Sequence, residues 1–253
     1  MTRRFDPALV LIFVLIAWQA GHLAAGDVAL ASPAAALTRL GTLLARPGFQ
    51  ADALDTAQAF LLSAIISVVG GAGIGCLLGL SRLAGRVMEP VLASLYALPK
   101  VTLYPVVLLL FGLGGPAKVA FGVMHGLIPI GLITMNAVLQ VRPVHLRAAR
   151  AMRLTTAQTL WSVVLPSILP DILGGVRIGV PLALLGVLIG EMFASRRGLG
   201  SVAMRAMEVN DGPTLLAVAV LLSATALGIN ALLGRLLRTS GHRAGPAERE
   251  NTR

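Results

Sequence analysis

The chain has 253 residues, of which 56% are hydrophobic and only 13% charged, with a formal net charge of +10. A mean hydropathy of +0.84 excludes an ordinary soluble domain and a disordered chain, because both carry far more polar sequence. The basicity does not point to nucleic acid, because the charges cluster at the ends of apolar stretches rather than along one surface.

Crossing the hydrocarbon takes about 20 mostly apolar residues as a helix, which satisfies every backbone hydrogen bond internally. The sequence supplies about six such stretches, near 8–25, 56–80, 90–112, 117–139, 172–193 and 213–236. The expected fold class is all-α, a polytopic membrane protein. The first stretch follows Arg3 and Arg4. Its long run and the lack of a small-residue cleavage site in AWQAGHLAAGD favour a retained helix over a signal peptide. That helix and an extracytoplasmic loop make up residues 1–49.

In the second span Ser63, Ser67, Gly71, Gly75 and Gly79 recur every four residues. The spacing stacks small side chains in one stripe and lets another helix approach backbone to backbone. Such a stripe can be static packing or a surface that slides during transport. The run VVGGAGIG has no Gly-Lys-Ser/Thr ending, so it is not a phosphate loop. Cys76, the single cysteine, reads as a small apolar filler, and no disulfide or cysteine metal site is available within one chain.

The third span, YALPKVTLYPVVLLLFGLGG, contains Pro99 and Pro105, each of which removes a helix hydrogen bond. Lys100 sits deep in this apolar stretch, where a charge costs on the order of 3 kcal/mol unless it faces protein or a wet cavity. Pro99, Lys100 and Tyr104 are therefore candidates for a translocation path, with Lys100 attracting an anion. The competing reading has Lys100 snorkelling or bonding a carbonyl. The fourth span, interrupted by Pro129, carries His125 and Asn136, each either an interhelical hydrogen bond or part of a path.

Between the fourth and fifth spans, about 142–170, the chain turns polar but stays patterned. Val144, Ala148, Ala151 and Met152 share one helical face, and Arg147, Arg150 and Arg153 advance along another. Thr155 can cap the next turn while Gln158 returns the bond, as in a capping box. A second short helix then presents Ala157, Leu160, Trp161 and Val164, and Pro166 and Pro170 are expected to stop it and redirect the chain. The outcome is a cytoplasmic helix, turn and helix that either lies on anionic lipid or docks on a partner.

Glu191 ends the fifth span before Arg196 and Arg197, where it either gates the outer mouth or is solvated at the interface. Residues 50–237 thus form the membrane domain, and the polar tail 238–253 is expected to be disordered. A cytoplasmic N-terminus gathers Arg3, Arg4, Arg82, Arg86, Arg142, Arg147, Arg150, Arg153, Arg235, Arg238 and Arg243 inside. Arg39, Arg46, Lys118, Arg196, Arg197 and Arg205 then fall outside. Both termini are expected to be cytoplasmic.

RAARAMRLTTAQTLWSVVLPSILPDILGGVRIGV (147–180) resembles the EAA loop of binding-protein-dependent ABC transporter permeases. Ala148 and Ala149 match, as does the spacing from Arg153 to Leu165-Pro166. Arg147 stands where that family usually has Glu, and Arg153 where it has the Gly that ends the first short helix at positive φ. SLYALPKVTLYPVVLLLFGLGGPAKVAFGVMHGLIPIGLITMNAV and GEMFASRRGLGSV resemble the nitrate, sulfonate and taurine branch.

The resemblance implies an inner-membrane homodimer whose loops dock on a cytoplasmic ATP-binding subunit. Arg147, Ala148, Ala149, Arg150, Met152, Arg153, Leu154 and Thr155 would form the docking surface. An extracytoplasmic binding protein would deliver a small anionic solute such as a sulfonate, taurine or nitrate. Related permeases serving heterocyclic vitamin precursors leave that alternative open. The chain itself binds no cofactor on this reading; ATP and Mg belong to the partner. Less favoured are a stand-alone channel or secondary transporter, for which coupling acids are scarce, and a membrane enzyme, for which no His-Glu-x-x-His or Gly-x-Ser-x-Gly occurs.

Overall fold

A computed structural model describes the backbone of residues 7–26 and 29–241 and the side chains of 9–26 and 29–235. It contains helices α1 (Pro7–Ala25), α2 (Pro33–Leu44), α3 (Pro47–Leu80), α4 (Arg82–Ala97), α5 (Tyr104–Phe111) and α6 (Gly115–Leu139). The segment after the fourth span and the rest follow as α7 (Pro143–Ala151), α8 (Thr156–Thr159), α9 (Leu165–Ala194), α10 (Leu199–Glu208) and α11 (Gly212–Gly241). A 3-10 turn, Lys100–Leu103, precedes α5, and a π turn, Leu160–Val164, joins α8 to α9. Among the described residues there is no strand. Arg3, Arg4 and the tail beyond Gly241 lie outside the described residues, whereas α11 extends to Gly241 and so into the stretch expected to be tail.

The core is a three-helix stack of α3, α6 and α9. The buried face of α3 includes Ser63, Ser67, Gly71, Gly75 and Gly79, the stripe expected from spacing. A Cβ on Gly75 would stand 2.5 Å from the Gly131 carbonyl oxygen, and one on Gly79 would stand 2.6 Å from Val138 Cβ. The Ser63 hydroxyl lies 2.7 Å from the Ala59 carbonyl and 3.1 Å from that of Val119. Hence α3 and α6 meet backbone to backbone, with dispersion rather than a hydrophobic driving force holding them in lipid. On α9, Gly179, Gly186 and Gly190 bring α6 equally close.

Among the described residues four helices are long and apolar enough to span, and the bent pair Arg82–Ala97 and Lys100–Phe111 would make a fifth. The expected count of about six is met if α1, a helix of 19 residues, also crosses. The third span is not one helix: its halves meet at 90°. Leu98, the residue before Pro99, is extended at φ −62° and ψ 137°, as a following proline ring requires. Pro105 opens α5 instead of interrupting it.

The other prolines correct the expectation of breaks. Pro129 lies inside α6 and Pro170 inside α9. Helix continues from Thr156 to Ala194 over 39 residues, so Pro166 and Pro170 do not redirect the chain. Just before Pro166, Leu165 N–H donates to the Leu160 carbonyl, five residues back, widening the turn where the proline leaves a gap in the usual ladder.

Residues 1–49 also hold a second helix where a loop was expected: α2 is capped by Ser32, whose hydroxyl accepts the Ala35 N–H at 3.1 Å, and opened by Pro33. Leu43 and Phe49 pack with Leu199, Val202, Ala217 and Val218, which ties α2, α10 and α11 over the end of the stack formed by the start of α3. Asp211 secures this cap. It accepts from the Thr214 N–H at 3.0 Å and hydroxyl at 2.6 Å, and from Arg39 at 3.0 Å. Partial burial would raise its carboxyl, but the Thr214 bonds and the Arg39 charge outweigh it and hold the group below the usual carboxylate range.

Candidate docking and translocation sites

The coupling segment follows the C-terminal end of α6. Helix α7 closes with Leu154 N–H donating to the Ala149 carbonyl and Arg153 N–H to that of Arg150, both at 3.0 Å. This pair of bonds is a Schellman ending, and Arg153 occupies its left-handed position at φ 52°. An L residue there costs about 1 kcal/mol more than glycine. Arg153→Gly should therefore leave the apparent melting temperature of the purified protein unchanged or higher, and Arg153→Val, β-branched at positive φ, should lower stability by about 1 kcal/mol or more. Equal tolerance of both would remove the strain assigned to this turn.

Next, the Thr155 N–H donates to Gln158 Oε1 at 2.8 Å and the Gln158 N–H to Thr155 Oγ1 at 3.3 Å. The reciprocal capping box starts α8. The apolar faces differ from expectation. Ala149 is buried and Leu146 packs with Val138, Val164 and Ile168, whereas Val144, Ala148 and Met152 stay exposed. Trp161 is exposed too, at 71%; the π turn adds a residue and moves it off the face of Val164.

The path candidates do not form one cluster. Lys100 is buried, with Nζ donating to the Tyr96 carbonyl at 3.1 Å and lying 5.3 Å from the Tyr96 ring centroid. Pro99 stands beside it at the bend. The Tyr104 hydroxyl donates to the Phe193 carbonyl, and its ring stacks 6.0 Å from that of Phe121. His125 Nδ1 bonds the Phe121 carbonyl of its own helix at 2.8 Å, not another helix as expected. Asn136, three helical turns onward, lines a separate polar cavity of about 460 Å³ with Gln140, His145, Ser167 and Asp171.

Glu191 belongs to the opposite end from the coupling segment, and it is fully buried. That corrects the reading of a solvated carboxylate. The Thr56 hydroxyl lies 3.0 and 2.9 Å from its two oxygens, the Gly200 N–H donates to it at 3.0 Å, and Lys118 Nζ is 3.4 Å away. Lys118, 4% exposed, also pairs with Asp55 and is a buried structural charge. The Gly198 N–H donates to Asp52 at 2.9 Å and the Leu199 N–H to Thr56 Oγ1 at 2.8 Å. The free N–H groups at the start of α10 are thus met by side chains of α3 and α9. Arg205 closes the network onto Asp52 at 3.5 Å.

Sequence reasoning missed this network, along with Arg177 and Asn230, whose Nε and Oδ1 are 3.3 Å apart across α9 and α11. Arg177 carried a signal: a charge inside an apolar span. The network carried none, because Thr56, Lys118 and Glu191 are far apart in sequence.

This helical stack, with its capped loop and broken span, is matched by sequence. Residues 67–243 match the family described as the binding-protein-dependent transport system inner membrane component. The chain belongs to this family. The permease is 29% identical over 180 residues to the taurine transport system permease protein of Escherichia coli K12, covering 70% of this chain and 66% of that one. It is 32% identical over 245 residues to the riboflavin transport system permease protein of Chloroflexus aurantiacus, covering 93% and 91%. A formylaminopyrimidine transport permease protein of Halalkalibacterium halodurans is 26% identical, covering 86% and 87%. In fold, the permease resembles an inward-facing structure of the MetNI methionine ABC transporter, with a TM-score of 0.66, 20% identity, and coverage of 76% of this chain and 95% of that one. It is an ABC importer permease subunit of the inner membrane.

Proposed function

We propose that the permease forms, as a homodimer, the path of an ATP-driven importer for a small solute bearing an oxyanion, a sulfonate or taurine-like compound. The segment from Arg147 to Thr155 docks on a cytoplasmic ATP-binding subunit, and an extracytoplasmic binding protein delivers the solute. Both termini are cytoplasmic, and ATP and Mg reside on the partner. The observation that carries the docking assignment is the coupling segment: a Schellman ending and a capping box fix its turn, while Val144 and Met152 stand 54% and 72% exposed. Ordered backbone with exposed apolar side chains suits a protein partner.

A docked segment can drive transport because it sits on the end of α9, whose other end holds Glu191. Displacement of two packed ends of one helix is a rigid-body route to alternating access. Pro99, Lys100, Tyr104, His125 and Asn136 remain the proposed path residues, with Lys100 and Tyr104 just past the 90° bend, whereas Glu191, fully buried, anchors α10 rather than lining the path. Replacing residues 147–154 with a Gly-Ser linker should abolish co-purification of the ATP-binding subunit while the permease still inserts. A complex that persists without the loop would sink the docking assignment.

A second reading, import of a heterocyclic vitamin precursor, is favoured by the likeness to the riboflavin permease over 93% of this chain. Uptake of radiolabelled taurine and riboflavin by cells carrying the full transporter separates the two.

A further inference from the structure

We propose that the cavity between α4, α9 and α11 is an oxyanion-binding site centred on Arg177; the inference rests on the permease reading and locates a recognition element within it. The cavity has a volume of about 470 Å³, enough for a small solute or for one charged group of a larger one. Arg177 stands inside the apolar run Thr156–Ala194, and an ionised side chain there marks a pathway or ligand unless it is paired. Among the described residues no carboxylate pairs with it, and none lines the cavity. Its Nε donates to Asn230 Oδ1 at 3.3 Å, which leaves the terminal guanidinium N–H groups for a ligand.

The rest of the lining has matching chemistry. Asn230, its carbonyl oxygen engaged by Arg177, has its amide N–H groups to offer, and the Tyr96 hydroxyl is a further donor. Lys100 Nζ lies 5.3 Å from the Tyr96 ring centroid, which puts a second cation beside this lining residue. Two planar donors of Arg177 fit a sulfonate, carboxylate or phosphate bidentately, as a lysine would not. Pro181 also lines the cavity. Having no N–H, it leaves the Arg177 carbonyl without its helical donor, an acceptor suited to the ammonium end of a zwitterion. Leu227 contributes an apolar wall. A free solute and a lipid headgroup share this oxyanion chemistry.

The full chain is reconstituted in nanodiscs of phosphatidylcholine alone and titrated with radiolabelled methanesulfonate against chloride of equal ionic strength. Saturable sulfonate binding, weakened roughly tenfold or more by Arg177→Gln and less by Arg177→Lys or Asn230→Ala, establishes the site for a free oxyanion. If sulfonate does not bind but phosphatidylglycerol is retained through purification by the wild type and lost from Arg177→Gln, the site holds a lipid headgroup. Absence of both, or effects equal in all variants, overturns the proposal. Wild-type elution on gel filtration for Arg177→Lys and Asn230→Ala excludes misfolding as the cause. Co-purification of the ATP-binding subunit is scored in parallel: its loss from a loop-intact wild type would fault the permease reading alone, and its retention by Arg177→Gln with sulfonate binding lost isolates the cavity.

Discussion

Glu191→Leu lowers the apparent melting temperature of the purified permease by roughly 10 °C, and Glu191→Gln by less than half as much. Leucine leaves the Gly200 N–H without its acceptor and removes one of the two anions that neutralise Lys118, at 3.4 Å and 4% exposed. Breaking a buried, hydrogen-bonded charge pair costs about 3–5 kcal/mol, and about 2–4 °C per kcal/mol is expected at this chain length. Glutamine still accepts from Thr56 and Gly200, and Lys118 keeps Asp55; only the charge is lost. Differential scanning fluorimetry on both variants decides the matter. A leucine variant as stable as wild type would mean that the network does not hold α10 against α3 and α9.

The second large effect is steric. Gly75→Val should destabilise by about 3 kcal/mol or more, whereas Gly73→Val should stay within about 0.5 kcal/mol. A Cβ at Gly75 meets the Gly131 carbonyl oxygen at 2.5 Å and Thr134 Cβ at 2.7 Å, while one at Gly73 meets nothing within 4 Å. The obstacle is backbone, which cannot rotate aside as a side chain can. Yield and monodispersity on gel filtration report the difference, and equal behaviour of the two variants would contradict the α3 and α6 contact. The result also bears on whether the stripe slides: groups this close to a carbonyl admit few other registers.

The small-residue stripe and the capping box were legible in the sequence because each is a local pattern whose period or offset dictates geometry. The positive φ at Arg153 was legible through resemblance alone, since arginine gives no hint of it. The prolines misled in a consistent way. Pro129, Pro166 and Pro170 were read as breaks, but neighbouring helices and a widened turn accommodate them. The same residue type at Pro99 does break the chain, because the residues on either side are extended or in a 3-10 turn. The face of α7 was misjudged because apolar spacing selects Val144 and Met152, whereas contact with α6 and α9 selects Leu146 and Ala149. Glu191 and Lys118 looked like boundary charges because nothing local reveals partners 73 residues apart.

The unbroken run from Thr156 to Ala194 has a mechanical consequence. A flexible joint between the coupling segment and the fifth span would let that segment be pushed without moving the span. A rod of 39 residues, about 58 Å long, lacks that freedom. Torque applied at its Thr156 end is delivered to the end where Glu191 is clamped, so the lock on α10 and the handle beside Thr155 are two grips on one shaft.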